Sequence, residues 1–262
     1  MRNLISYIDL QLTQGAIFNN TIAEDYESAE VYGIIINARC DLVHRKKNKI
    51  SYLPIVSLND WEKVDGKSLV FNQIVNNYRS TLQDKLTKQN CAISVIDFLG
   101  FEELRKLLKA DIKAISILDK FSSIKVFIDN DKDNIPDEIK TDYINALRNQ
   151  KESLLDYKLN GYYFIESVDG KDDSGYVILM NEIKYMPSVY VEKLKRGFIP
   201  DNDLLNKGVF AEKKYTALMS FVLSPFIEHF MQQFSNMFIR VGIQDIQDKQ
   251  KYIQYKGNED EK

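Results

Sequence analysis

Thiols and imidazoles are scarce enough in this chain to be taken one by one. Cys40 and Asp41 stand together, His44 follows about one helical turn later, and the other imidazole, His229, has Glu228 beside it. A thiol near an imidazole that a carboxylate orients is a cysteine nucleophile in outline. Cys40 with His44 or His229, oriented by Asp41 or Glu228, is therefore a candidate hydrolase centre. The plainer reading is a buried thiol followed by a turn-forming aspartate, and nothing local selects the dyad. The same scarcity bounds metals. One zinc site would consume Cys40, His44, Cys91 and His229 together, and their spacing lacks the paired ligands of zinc modules. Cys91, in an apolar helical context, reads as a core thiol.

Two further groups carry chemistry. Arg39, His44 and Ser57 could serve phosphoryl transfer without metal, the arginine stabilising phosphate charge and the histidine moving protons. Arg39, Arg45, Lys46, Lys47 and Lys49, with His44 among them, form the one dense basic run, a local RNA contact if there is one. Asp129, Asp131, Asp133 and Asp137 place carboxylates at the alternating positions of a calcium loop. Asn134 stands there where glycine is usual, and Lys140 occupies the position of the bidentate glutamate, so a solvated, helix-capping acidic turn is the favoured reading. No cofactor is expected.

The last helix offers a polar face. His229, Gln233, Asn236 and Arg240 recur at spacings of three and four, opposite a stripe of Phe226, Phe230, Phe234, Met237, Phe238 and Val241. Either this face is solvated, or it meets the Cys40–Asp41 region, with Arg240 pairing Asp41 or Glu228.

These residues need a frame. With 262 residues and 44% apolar content the chain can build a sizeable core, and 38 acidic against 35 basic residues give no broad cationic surface for nucleic acid. Two cysteines suit a reducing compartment. The opening apolar run is too short for a signal peptide, and no stretch approaches the roughly 18 apolar residues of a membrane span, so a cytoplasmic protein without membrane contact is expected.

Val31–Leu42 reads as a strand buried on both faces, with Cys40 and Asp41 at its end. Ile50–Ser57 reads as a second strand, at an edge or bulge because of Pro54. Residues 4–12 fit strand or helix equally, and 14–18 form a turn feeding a strand. From Asn59 the period becomes helical: Trp61 lies in a short capped helix, and Leu69, Ile74, Val75, Tyr78, Leu82 and Leu86 make one apolar face. Helices follow at about 92–109 and 112–118, then a brief strand at Ser123–Ile128 and a helix opened by Pro136. Gly161–Val168 and Gly175–Met180 read as a hairpin, Val189–Lys195 as a helix stopped by Gly197, and Ser224–Gly242 as the capped closing helix. The expected fold is one α+β domain over 1–245. Barrel strands lie within 1–58 and 160–182, a helical insertion at about 59–155, closing helices at 188–242, and a charged tail at 246–262.

The opening strands resemble the MazF/PemK growth-inhibitor toxins, small SH3-like barrels that cleave single-stranded RNA without metal. Gln14-Gly-Ala-Ile-Phe18, Gly33-Ile-Ile-Ile-Asn37 and Tyr52-Leu-Pro-Ile-Val-Ser57 carry the likeness. The departures fall on the catalytic positions. Ala16 replaces the aspartate after the first glycine, Glu30-Val31 replaces an Arg-Pro pair, and Val56 fills the hydroxyl position, leaving Ser57. A barrel without that arginine and hydroxyl is expected to be a poor nuclease. Ser224–His229 with Phe238–Gly242 resembles the closing helix of uncharacterised bacterial proteins from antiviral or toxin operons. The leading expectation is a non-catalytic interaction or regulatory subunit of a toxin-like or defence system that docks a protein partner. The 15 tyrosines suit such a surface. A MazF-type endoribonuclease stands second and a cysteine hydrolase third.

Overall fold

The computed structural model describes residues 5–6, 12–43, 48–88, 95–129, 135–169 and 174–239. His44, Cys91, Asp131, Asp133, Arg240 and the expected tail lie outside them.

The first strands are β1 (Ile5–Ser6), β2 (Ala16–Thr21) and β3 (Val31–Ile35). All five residues of β3 are buried, as a run apolar on both faces requires. Gly33 is fixed by its neighbour. It pairs with Phe18 across the ladder, and a Cβ added there would collide with the Phe18 ring.

The strand expected to run on to Leu42 ends at Ile35. Arg39–Val43 is a short helix, α1, closed by Asp41 N–H and Leu42 N–H bonds to the Ala38 carbonyl, with Leu42 turned into the core. Cys40 and Asp41 thus sit on a helical turn and not at a strand end.

The next strand, β4 (Lys49–Ser57), is central rather than an edge. One side pairs with β3. The other is shared by β7 (Lys184–Pro187), opposite Lys49–Tyr52, and β6 (Tyr176–Leu179), opposite Ile55–Ser57. Pro54 falls where β4 changes partner, so its missing N–H costs little in a ladder already interrupted there.

Residues after β4 are helical: α2 (Leu58–Trp61), a π-helical turn (Glu62–Gly66), α3 (Lys67–Thr87), α4 (Val95–Phe98), α5 (Phe101–Leu108), α6 (Ile112–Asp129) and α7 (Asp137–Leu155). The strand expected at Ser123–Ile128 is the last part of α6. Its β-branched residues suggested extension, but Leu118, Phe121, Ile124 and Phe127 keep three-residue spacing and all point inward. These helices share their own core, including Val70, Ile74, Leu82, Leu104, Leu118, Ile124 and Ile139.

The expected hairpin is present as β5 (Tyr162–Ile165) with β6, in antiparallel register. After β7 come α8 (Val189–Arg196), ended by Gly197 at φ 72°, and α9 (Asn202–Asn206). The span 188–242, expected to hold closing helices, also contains a strand, β8 (Leu218–Val222), whose alternate residues are buried. β8 joins β1 to β2, and the chain ends its described part in α10 (Phe226–Ile239).

The result is one curled antiparallel sheet, in order β1-β8-β2-β3-β4-β6-β5 with β7 also on β4, together with a group of helices. The strands before residue 58 and the later hairpin do share one sheet. Ile17, Ile34, Leu53 and Ile178 face α10 through Phe230 and Phe234. Phe18, Ile35, Tyr52 and Met186 face α8 and α9. A smaller cluster of Val56, Trp61, Leu154, Phe164 and Val177 joins the sheet to the helical group. Among the described residues no helix is long and apolar enough to cross a membrane.

Candidate functional site

The expected catalytic residues do not converge. Cys40 is exposed on α1, and its Sγ lies 3.9 Å from Asp41 Oδ1. His229 belongs to a different neighbourhood on α10, and among the described residues no contact joins it to Cys40. Glu228 points to solvent. Arg39 is also exposed on α1, at one end of the basic run. Ser57 is committed locally. Its Oγ accepts from Asp60 N–H at 3.0 Å and donates to Asp60 Oδ2 at 2.6 Å, capping α2. A cap explains this serine without any reaction.

The acidic run joins two helices, with Asp129 closing α6 and Asp137 opening α7. A preceding helix is what a calcium loop has, contrary to the strand expected from sequence. Lys140, however, reaches back to within 4.0 Å of Asp137 Oδ1, placing an ammonium where a ligand carboxylate belongs. Among the described residues no group of three or more His, Cys, Asp or Glu could hold a metal ion.

Two unexpected groupings lie at the junction of sheet and helices. In the first, the His229 end of the α10 face expected to be solvated or to meet Asp41 packs on the β5 hairpin, while Gln233 is half-buried and Asn236 exposed. His229 Nδ1 and the Tyr163 hydroxyl are 2.9 Å apart, and the His229 ring meets Tyr157 edge-on. Tyr157 lies against Tyr163 with centroids 4.6 Å apart and planes at 31°. Beside these rings is a cleft of about 460 Å³, floored by Met180 and Met237 and edged by Asn160, Gln233 and Asn236.

The second grouping is centred on Asp65, in the π-helical turn. Tyr26 donates to Asp65 Oδ2 at 2.9 Å, and Tyr162 bonds the same carboxylate. Trp61 packs edge-on against Tyr162 at 5.5 Å, and its buried Nε1 has no hydrogen-bond partner among the described residues. Burial raises the Asp65 carboxyl above its ordinary range despite those two hydrogen bonds, which lower it. Burial, helped by the Asp65 charge, pushes both phenols upward. The phenols therefore stay protonated as donors, and the trio ties the loop before β3 and strand β5 to the helical turn. A π-turn admits one extra residue and re-aims the side chains around it, here Asp65. No spacing rule joins residues 26, 65 and 162, so the sequence carried no signal for the trio.

The helical group presents a surface of another kind. Phe98 and Ile112 are each 84% exposed, with Leu99 and Leu107 at 37% and 40% between them in the chain. Lys106, Lys109 and Lys113 stand among them. No family model, curated protein or solved structure matches this chain.

Proposed function

We propose that the chain is a non-catalytic interaction or regulatory subunit that docks a partner protein on its helical group. The observation that carries this is the exposure of Phe98 and Ile112 on helices that already possess a complete core. Exposed apolar side chains that form a contiguous patch mark an interaction surface, and the four here all fall between residues 98 and 112. Acidic and basic residues alternate around them, with Lys106 3.8 Å from Glu103, so the occupant is a protein segment offering chiefly an apolar face. The dispersal of Cys40 and His229 and the capping role of Ser57 support binding over catalysis. The likeness of the opening strands to growth-inhibitor toxins supports a degenerate toxin-like barrel serving a toxin-like or defence system.

A photoreactive phenylalanine analogue at position 98, irradiated in the native host, tests this. The expected result is one discrete cross-linked protein, absent when the analogue replaces the remote, exposed Tyr215. Equal labelling from both positions, or none from 98, overturns the reading. Single-stranded RNA incubated in EDTA should remain intact; cleavage lost in Arg39→Ala would favour the endoribonuclease instead.

A further inference from the structure

We propose that the cleft between the loop after α7, strand β5 and α10 is a binding site for a purine mononucleotide. The cleft's size, about 460 Å³, lies in the ordinary small-molecule range of roughly 300–1,000 Å³. Three tyrosines line it, its polar groups include three carboxamides and the Lys158 ammonium, and among the described residues no carboxylate lines it. Asn160, Gln233 and Asn236 each present one donor pair and one acceptor, the complement of a purine edge, where bidentate carboxamide pairing is geometrically favoured. Among the described residues the side chains of Asn160 and Asn236 make no hydrogen bond, and that of Gln233 has only a 3.5 Å approach to His229. The recognition groups are therefore available.

The aromatic wall is held in place at a cost. Tyr157 has φ 58° at the position after α7 where glycine is usual, and its N–H and that of Lys158 close the helix onto Leu154 and Ser153 carbonyls. A non-glycine residue is strained there. The side chain that glycine would lack lies against Tyr163, which His229 holds by its hydroxyl. Tyr163 is buried, so the half-buried Tyr157 ring, backed by it, is the one left for a base to stack on. Lys158, at the rim, is held 2.7 Å from Asp156 in an exposed pair, and a phosphate would draw its ammonium away from that carboxylate.

Isothermal titration of the full chain with AMP, GMP, CMP, UMP and adenosine tests the assignment, with Gln233→Ala, Asn236→Ala and Lys158→Ala beside the wild type. Saturable binding of AMP or GMP is expected, weakened about tenfold or more in each carboxamide variant. Lys158→Ala should weaken AMP but leave adenosine unchanged. Thermal melts matching wild type establish that the variants fold; if one does not, Gln233→Glu and Asn236→Asp replace it. No saturable heat at millimolar nucleotide, equal binding of pyrimidines, or affinity unchanged in both carboxamide variants overturns the proposal. The docking proposal on the helical group stands or falls separately, since none of these residues belongs to it.

Discussion

Ser57 shows how a residue type can be read correctly for chemistry and still be spent on structure. A hydroxyl at the end of strand β4 suggests a nucleophile or acid, but the same position starts a helix, and the cap takes both its donor and its acceptor. Ser57→Ala should lower stability by about 1 kcal/mol in denaturant titrations; an unchanged midpoint would show that the cap is not formed in solution. Asp65 was invisible for the opposite reason. Nothing in its local sequence indicates that Tyr26 and Tyr162 will arrive from distant segments. Its raised carboxyl sets a sign for stability. A folded pKa above the unfolded one means the native state holds the proton more tightly. This contribution is therefore fullest below the unfolded value, about pH 4, and is lost as pH rises through the folded pKa. Asp65→Asn removes that dependence. The melting temperature of the variant relative to wild type should rise between about pH 4 and about pH 7, and a constant or falling difference would contradict the burial argument.

Elements were legible where their pattern was long or their punctuation strong. The β5–β6 hairpin, α3 and the Gly197 stop follow from two apolar runs flanking a polar loop with a glycine, three-to-four spacing and a positive φ that glycine accepts. Short apolar runs failed where two periods compete. Ser123–Ile128 looks extended alone and becomes helical once Leu118 and Phe121 extend its face. Leu218–Val222 lies within the span expected to hold the closing helices and is drawn into the sheet by β1 and β2. Pro54 misled because its edge rule assumes one partner on each side, whereas β4 forks. Packing of α10 on the sheet is testable through Phe230, which is 0% exposed among Ile227, Tyr163 and Phe234. Phe230→Ala should destabilise by about 3–5 kcal/mol, whereas Phe238→Ala, at an exposed site, should stay within about 0.5 kcal/mol. Comparable losses at both would mean the helix is docked on a different face. Gly33→Ala should be as damaging as a core truncation, since its methyl meets the Phe18 ring.

At the scale of the molecule, the strands before residue 58 and the hairpin after 160 close one sheet, and the helices between them in the chain carry a separate core. That separation permits the helical group to devote exposed apolar residues to a partner without weakening the sheet. Candidate chemistry was least legible of all, because it depends on which distant segments meet. Cys40 and His229 were paired by residue type, and the fold sends His229 to Tyr163 instead. The most direct measurement is affinity capture of the tagged full chain from its native host, wild type against Phe98→Glu/Ile112→Glu, with the mass of each complex determined by light scattering. The account predicts a defined stoichiometric complex with wild type and a folded, partner-free monomer with the variant. The same complex recovered from both, or a partner-free monomer from both, would contradict it.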